Sequence, residues 1–205
     1  MGGEPMPTRS TLSEEYNGSA WTAGGALNNG RAMGAGAGTQ TATLFFGAFD
    51  GSTTYAYTES YNGASWTSEN TLTTPTRQLA GAGTATAGLA AAGYNGTAIT
   101  AVSEEYNGTS WTAGNSLNTA RSKLSGDGLQ TAAFVVGGDT GSASAAMEEY
   151  DGTDWTTSPA SLGTARATLA AAGTTTLALA FGGDPAMTNT EEYTAAATAQ
   201  TVTTS

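Results

Sequence analysis

Along this chain, short apolar or β-branched runs alternate with turns rich in Gly, Asn and Asp, and no long window carries the apolar spacing of a helix. The runs TATLFFG from Thr41, TAAFVVGG from Thr131 and TLALAFGG from Thr176 are strand-sized and end in small residues. Stretches of this length, rich in Thr, Val, Phe and Tyr, predict β-strands. They fall into sets of four segments. Segment a is small-residue rich (AMGAGAG from Ala32, LAGAG from Leu79, LSGDG from Leu124, LAAAG from Leu169), and segment b ends at a small pair. Segment c ends in EEY or ESY, and segment d carries a Trp. The expected class is all-β, four antiparallel strands per set, with no helix beyond a single turn.

The sets form an array. Trp21, Trp66, Trp111 and Trp155 are separated by 45, 45 and 44 residues. Tyr16, Tyr61, Tyr106, Tyr150 and Tyr193 keep the same beat, as do Arg31, Arg77, Arg121 and Arg166 and the pairs Gly47-Ala48, Ala92-Gly93, Gly137-Gly138 and Gly182-Gly183. Between c and d stand YNGSAW, YNGASW, YNGTSW and YDGTDW, which predict type I′ two-residue hairpins. With Asn17 and Gly18 as the turn, Glu14 lies across from Trp21, so Glu14, Glu59, Glu104 and Glu148 join the Tyr and Trp in one repeated cluster. Each Arg stands beside such a carboxylate and is expected to form a structural ion pair.

A repeat of this length, with a strand ending in Gly-Gly, a later Glu-x-Tyr strand, a Trp soon after and an Arg before the next repeat, resembles the kelch motif of β-propellers from Ser13 to Tyr193. Gly-Gly decays at Gly47-Ala48 and Ala92-Gly93, and the Tyr-to-Trp gap is shorter than in most kelch proteins. The dominance of Ala, Gly and Thr is also similar to kelch-like repeat proteins of marine bacteriophage appendages. The resemblance implies a propeller of four-stranded blades, displayed on a virion or another extracellular assembly, with a cytoplasmic adaptor as the other setting. Sterics point the same way, since segment a would line the axis, where only small side chains fit. The four Trp are expected to pack between blades.

The chain opens with a c-d pair (Ser13 to Ala23), runs through three abcd sets and ends with a, b and a fifth c (Glu191 to Tyr193). Pairing the first hairpin with the last a-b strands gives four blades. A five-bladed or open ring follows if Thr201 to Thr204 supply a degenerate d strand. The implied division is an N-terminal segment 1–12, a propeller over 13–193 and a tail over 194–205.

Composition narrows the chemistry. Leu, Ile, Val and Phe together number 23 of 205 residues, so a thick aliphatic core is ruled out. The absence of Cys and His removes disulfides, zinc sites, the commonest general base and any kelch-type copper oxidase. A net charge of -11 argues against nucleic acid, and no apolar run suggests membrane insertion. No cofactor is expected. Neighbouring Glu residues in a strand point to opposite faces, so the Glu pairs cannot chelate one ion. Calcium has oxygen candidates at Asp50, Asp139 and Asp184. The Asn17, Asn95 and Asn107 sequons are explained by their Asn-Gly turns. A sialidase-like glycosidase is the enzymatic alternative, but a fourfold Arg set does not suit an asymmetric substrate.

The b-c loops differ most between repeats: AFDGSTTYAY, GYNGTAIT, GDTGSASAA and GDPAMTN. In a meander they share one face with the d-a loops. A glycan, another protein subunit or a further copy of the chain is therefore expected to engage that face through Phe49, Tyr55, Tyr94, Asp139 and Asp184. The expected role is non-enzymatic binding or structure.

Overall fold

The computed structural model describes residues 9–186 and 188–195. These residues form an all-β, four-bladed propeller arrangement with no helix, preceded by a two-stranded hairpin. The hairpin is β1 (Glu14–Tyr16) and β2 (Trp21–Ala23). Blade 1 comprises β3 (Ala35–Thr39), β4 (Ala42–Phe46), β5 (Thr58–Tyr61) and β6 (Trp66–Glu69). Blade 2 comprises β7 (Ala80–Gly83), β8 (Gly88–Tyr94), β9 (Ile99–Tyr106) and β10 (Trp111–Ala113). Blade 3 comprises β11 (Ser125–Leu129), β12 (Ala132–Val136), β13 (Ala146–Tyr150) and β14 (Trp155–Ser161). Blade 4 has three strands among the described residues, β15 (Ala170–Gly173), β16 (Leu177–Phe181) and β17 (Thr190–Thr194). All pairings are antiparallel between consecutive strands.

The strands β3, β7, β11 and β15 pack side by side along the hub. Their Gly and Ala content follows from proximity: a Cβ at Gly81 would sit 2.6 Å from the Gly36 carbonyl oxygen of the blade before. Hydrogen bonds step from blade to blade at the same place. Gln78 N–H donates to Met33 O (2.7 Å), Lys123 N–H to Gln78 O and Thr168 N–H to Lys123 O (both 2.8 Å). All four residues have positive φ, from 55° to 63°. Among the described residues no fourth step joins Met33 to Thr168, so the relay does not close.

Alternation in the b strand gives each blade two different faces. Leu44 and Phe46 face forward into a cluster with Leu79, Ala90, Tyr106 and Trp111 of blade 2, and Leu89 faces a matching cluster with Leu124, Val135, Tyr150 and Trp155 of blade 3. The core therefore lies between blades. Trp111 donates Nε1–H to Thr58 Oγ1 at 2.9 Å, and Trp66 and Trp155 reach Ser13 and Ser103 at 3.4 Å. Tyr61 and Tyr150 donate their hydroxyls to Glu15 and Glu105 of the preceding unit.

Three expectations are corrected. The hairpin β1–β2 does not complete the last blade, because β16 pairs with β17 from Leu177↔Thr194 to Phe181↔Thr190. The fifth EEY stands a short loop away from β16. Bringing up the identical N-terminal EEY instead would close a loop more than ten times longer, at roughly 2 to 3 kcal/mol in extra chain entropy. The proposed d strand at Thr201 to Thr204 lies outside the described residues.

The c-d turns are not type I′. Only their Gly has positive φ, and Asn17, Asn62, Asn107 and Asp151 accept from the backbone N–H groups two and three residues on. A side-chain acceptor thus builds a four-residue turn, which sets Tyr16 opposite Trp21 and Glu14 opposite Ala23. Trp21 is the third correction: no described residue covers it and it is 66% exposed, whereas Trp111 and Trp155 are buried.

Candidate functional site

The repeated Arg and Glu separate structure from chemistry. Arg31–Glu59, Arg121–Glu148 and Arg166–Glu191 form ion pairs whose guanidinium groups are almost wholly buried. Each carboxylate also accepts a backbone N–H from the d-a connector, from Asn28, Asn118 and Gly163 respectively. Burial pushes the Arg121 pKa down, against the opposing pull of Glu148. Glu14 is exposed and belongs to no such pair.

Arg77 breaks the pattern. The connector Leu27, Leu72, Leu117 and Leu162 keep a strict 45-residue period, and four residues on stand Arg31, Thr76, Arg121 and Arg166. Buried Thr76 takes the Arg position, and Glu104 is satisfied by Thr73 N–H (2.7 Å) and Thr74 N–H (2.9 Å). Arg77, one residue out of step, points to the opposite side. Its guanidinium lies 4.0 Å over the Phe49 ring and 4.8 Å over the Tyr94 ring, with Nη1 donating to Thr54 Oγ1 at 3.2 Å.

Phe49, Tyr94, Asp139 and Asp184 occupy equivalent backbone positions in the four blades, bridging Ala32, Arg77, Ser122 and Ala167. They share the b-c loop face, but only Phe49 and Tyr94 are brought together, through Arg77. Asp139 pairs with Lys123 Nζ at 2.8 Å and accepts from Gly141 N–H, and these two contacts hold its pKa low. Asp184 is exposed.

The blade 1 loop is the most structured part of that face. Asp50 accepts from Thr53 N–H and Ser52 N–H (both 2.8 Å) and from the Tyr55 hydroxyl (2.9 Å), which together hold its carboxyl far below the usual range. The same contact raises the Tyr55 hydroxyl. Tyr55 stacks on Tyr57, with ring centroids 4.5 Å apart and planes 11° from parallel. Beside them opens a cleft of about 230 Å³ lined by Asn28, Asn29, Gly30, Arg31, Asp50, Tyr55 and Tyr57.

Sequence reasoning missed Arg77 as a surface group and Tyr57 altogether. The first was signalled by its offset from the Leu period, the second by Tyr-x-Tyr spacing, which puts both rings on one side of an extended segment. Of the calcium candidates, Asp50 is spent on its own loop and Asp139 on Gly141 and Lys123. Among the described residues no cluster of three or more Asp or Glu is arranged to hold a metal. No protein-family model and no curated protein matches the chain.

Proposed function

We propose that this protein is a non-enzymatic, kelch-like binding module that recognises a surface glycan on its b-c loop face, at the cleft beside the blade 1 loop. The observation that carries this reading is the broken symmetry of Arg77, which leaves a buried ion-pair position for the aromatic loops. Most of the repeated Tyr, Trp, Arg and Glu side chains hold blades together. The loop face diverges, and there a stacked Tyr pair, an ionised Asp and the exposed Asn29 line one cleft, while the Arg77 guanidinium holds the same blade 1 loop through Phe49 and Thr54. Aromatic faces pack against the C–H faces of sugar rings, and Asp, Asn and Arg serve their hydroxyls. Display on a virion appendage or another extracellular assembly belongs to the same proposal, resting on the compositional resemblance to phage kelch-like proteins.

The test is binding to a panel of immobilised mono- and oligosaccharides. Tyr57→Ala should abolish the signal and Arg77→Ala should weaken it, each with a melting temperature within about 4 °C of the wild type. Hydrolysis of a panel glycoside would overturn the non-enzymatic reading. Contacts made only by the Asn-Gly turns or the outer strands would overturn the site.

A further inference from the structure

The first three boundaries of the array, from the hairpin to blade 3, are each a plug in a socket. The plug is the Tyr–Trp pair of the later unit, with ring centroids 4.9 to 5.1 Å apart. The full socket is a hydroxyl just before the first Glu of segment c, a carboxylate one strand position beyond that Glu, and two apolar residues of segment b. Trp155 and Tyr150 find Ser103, Glu105 and Leu89, while Trp111 finds Thr58 and Phe46. Where blade 1 has Ser60 in place of the second Glu, Glu69 across the hairpin accepts from Ser60 Oγ at 2.6 Å, and burial, with Glu69 adding to it, raises the Tyr106 pKa.

The boundary between blades 3 and 4 supports the rule by exception. No Trp arrives there among the described residues, Met147 stands where the hydroxyl would be, and a cavity of about 70 Å³ lies against Phe134, Val136, Met147 and Tyr193. The acceptor is absent where the Trp is absent.

By the same rule, blade 4 ends in a socket that has no plug among the described residues. Thr190 and Glu192 stand opposite Phe181 and Leu179 in the register that Ser103 and Glu105 hold with Ala91 and Leu89. Leu179 and Phe181 are 41% and 42% exposed, although their counterparts Leu44 and Phe46 are fully buried. The hairpin at the other end is a plug without a socket among the described residues: Tyr16 and Trp21 lie 5.2 Å apart, exposed.

We infer that a second copy of this chain docks head to tail, with Tyr16 and Trp21 of one copy seated on Leu179, Phe181, Thr190 and Glu192 of the next. Tyr16, Trp21, Leu179 and Phe181 are all exposed in the same chain, and the other flank of the hairpin already carries Tyr61 and Trp66. One plug and one socket per copy make a heterologous contact, which propagates into a ring or filament. The net charge of -11 opposes it, so salt strengthens the association.

Sedimentation velocity over a concentration series, in low and high salt, tests this with Trp21→Ala and Phe181→Asp. Both positions are exposed, so each variant should keep the circular dichroism spectrum and the melting temperature of the dilute wild type. Wild type should associate, and each variant alone should do so at least tenfold more weakly. Mixed, the two variants should form a 1:1 heterodimer and nothing larger, because one retains only the socket and the other only the plug. A wild type that stays monomeric overturns the proposal. So does a lowered melting temperature of dilute Trp21→Ala, which would mean that the hairpin packs within its own chain, and so does association that neither variant weakens.

Discussion

Arg121 and Glu148 meet at 2.8 Å with almost no solvent on either side chain, and the guanidinium also donates to the Gly137 and Ala146 carbonyls. Removing one partner strands a buried charge, so Glu148→Ala should cost about 3 to 5 kcal/mol. Arg77→Ala removes only half-buried ring contacts and should cost at most about 1 kcal/mol. Urea unfolding of the two variants measures the contrast; equal losses would refute the separation of their roles.

The Trp residues should divide by position along the array. Trp111 fills the boundary between blades 1 and 2 against Phe46, so Trp111→Ala is expected to cost about 3 to 5 kcal/mol. Trp21→Ala, on the exposed hairpin, should stay within about 0.5 kcal/mol in dilute solution. Chemical denaturation decides it.

Alkali should loosen the blade boundaries. Burial and Glu105 push the Tyr150 hydroxyl pKa up, and Glu15 together with burial raises that of Tyr61. A raised pKa means the folded state holds the proton longer. That stabilisation is complete below the unfolded value near 10 and is lost as pH rises through the folded one. Melting temperature should therefore fall above about pH 10. Tyr150→Phe should lower it near neutrality by the loss of one hydrogen bond but flatten the alkaline decline.

The hub tolerates no added carbon at Gly81, where a Cβ would press on the Gly36 carbonyl and the Ala35 side chain. Gly81→Ala should destabilise by roughly 1 to 3 kcal/mol. A neutral result in thermal melts would show that β3 and β7 can move apart.

The four-strand repeat was legible because it is written repeatedly, in Trp, Tyr and the small pairs, and each copy constrains the others. What escaped were places where one residue acts alone. The Asn17 side chain builds a turn that the Asn-Gly dipeptide does not specify, and this moved the register from Glu14 to Tyr16 opposite Trp21. Arg77 shares its residue type with the ion-pair set but not its backbone position, and the fixed Leu period, not the Arg tally, identifies the odd one. Strand choice at the seam escaped for another reason: two EEY segments compete for β16, and chain connectivity decides between equal sequences. The loop-face residues were legible by their variability, yet only contact geometry shows that Phe49 and Tyr94 converge while Asp139 and Asp184 do not.

The backbone relay through Met33, Gln78, Lys123 and Thr168 couples each blade only to its neighbours, and it does so whatever side chain stands at the four positions. Loss of order therefore spreads like fraying rope, inward from either end, and each link protects the one behind it. Amide hydrogen exchange would record that order directly, with the Lys123 N–H outlasting the Thr168 N–H even though their hydrogen bonds are equal in length.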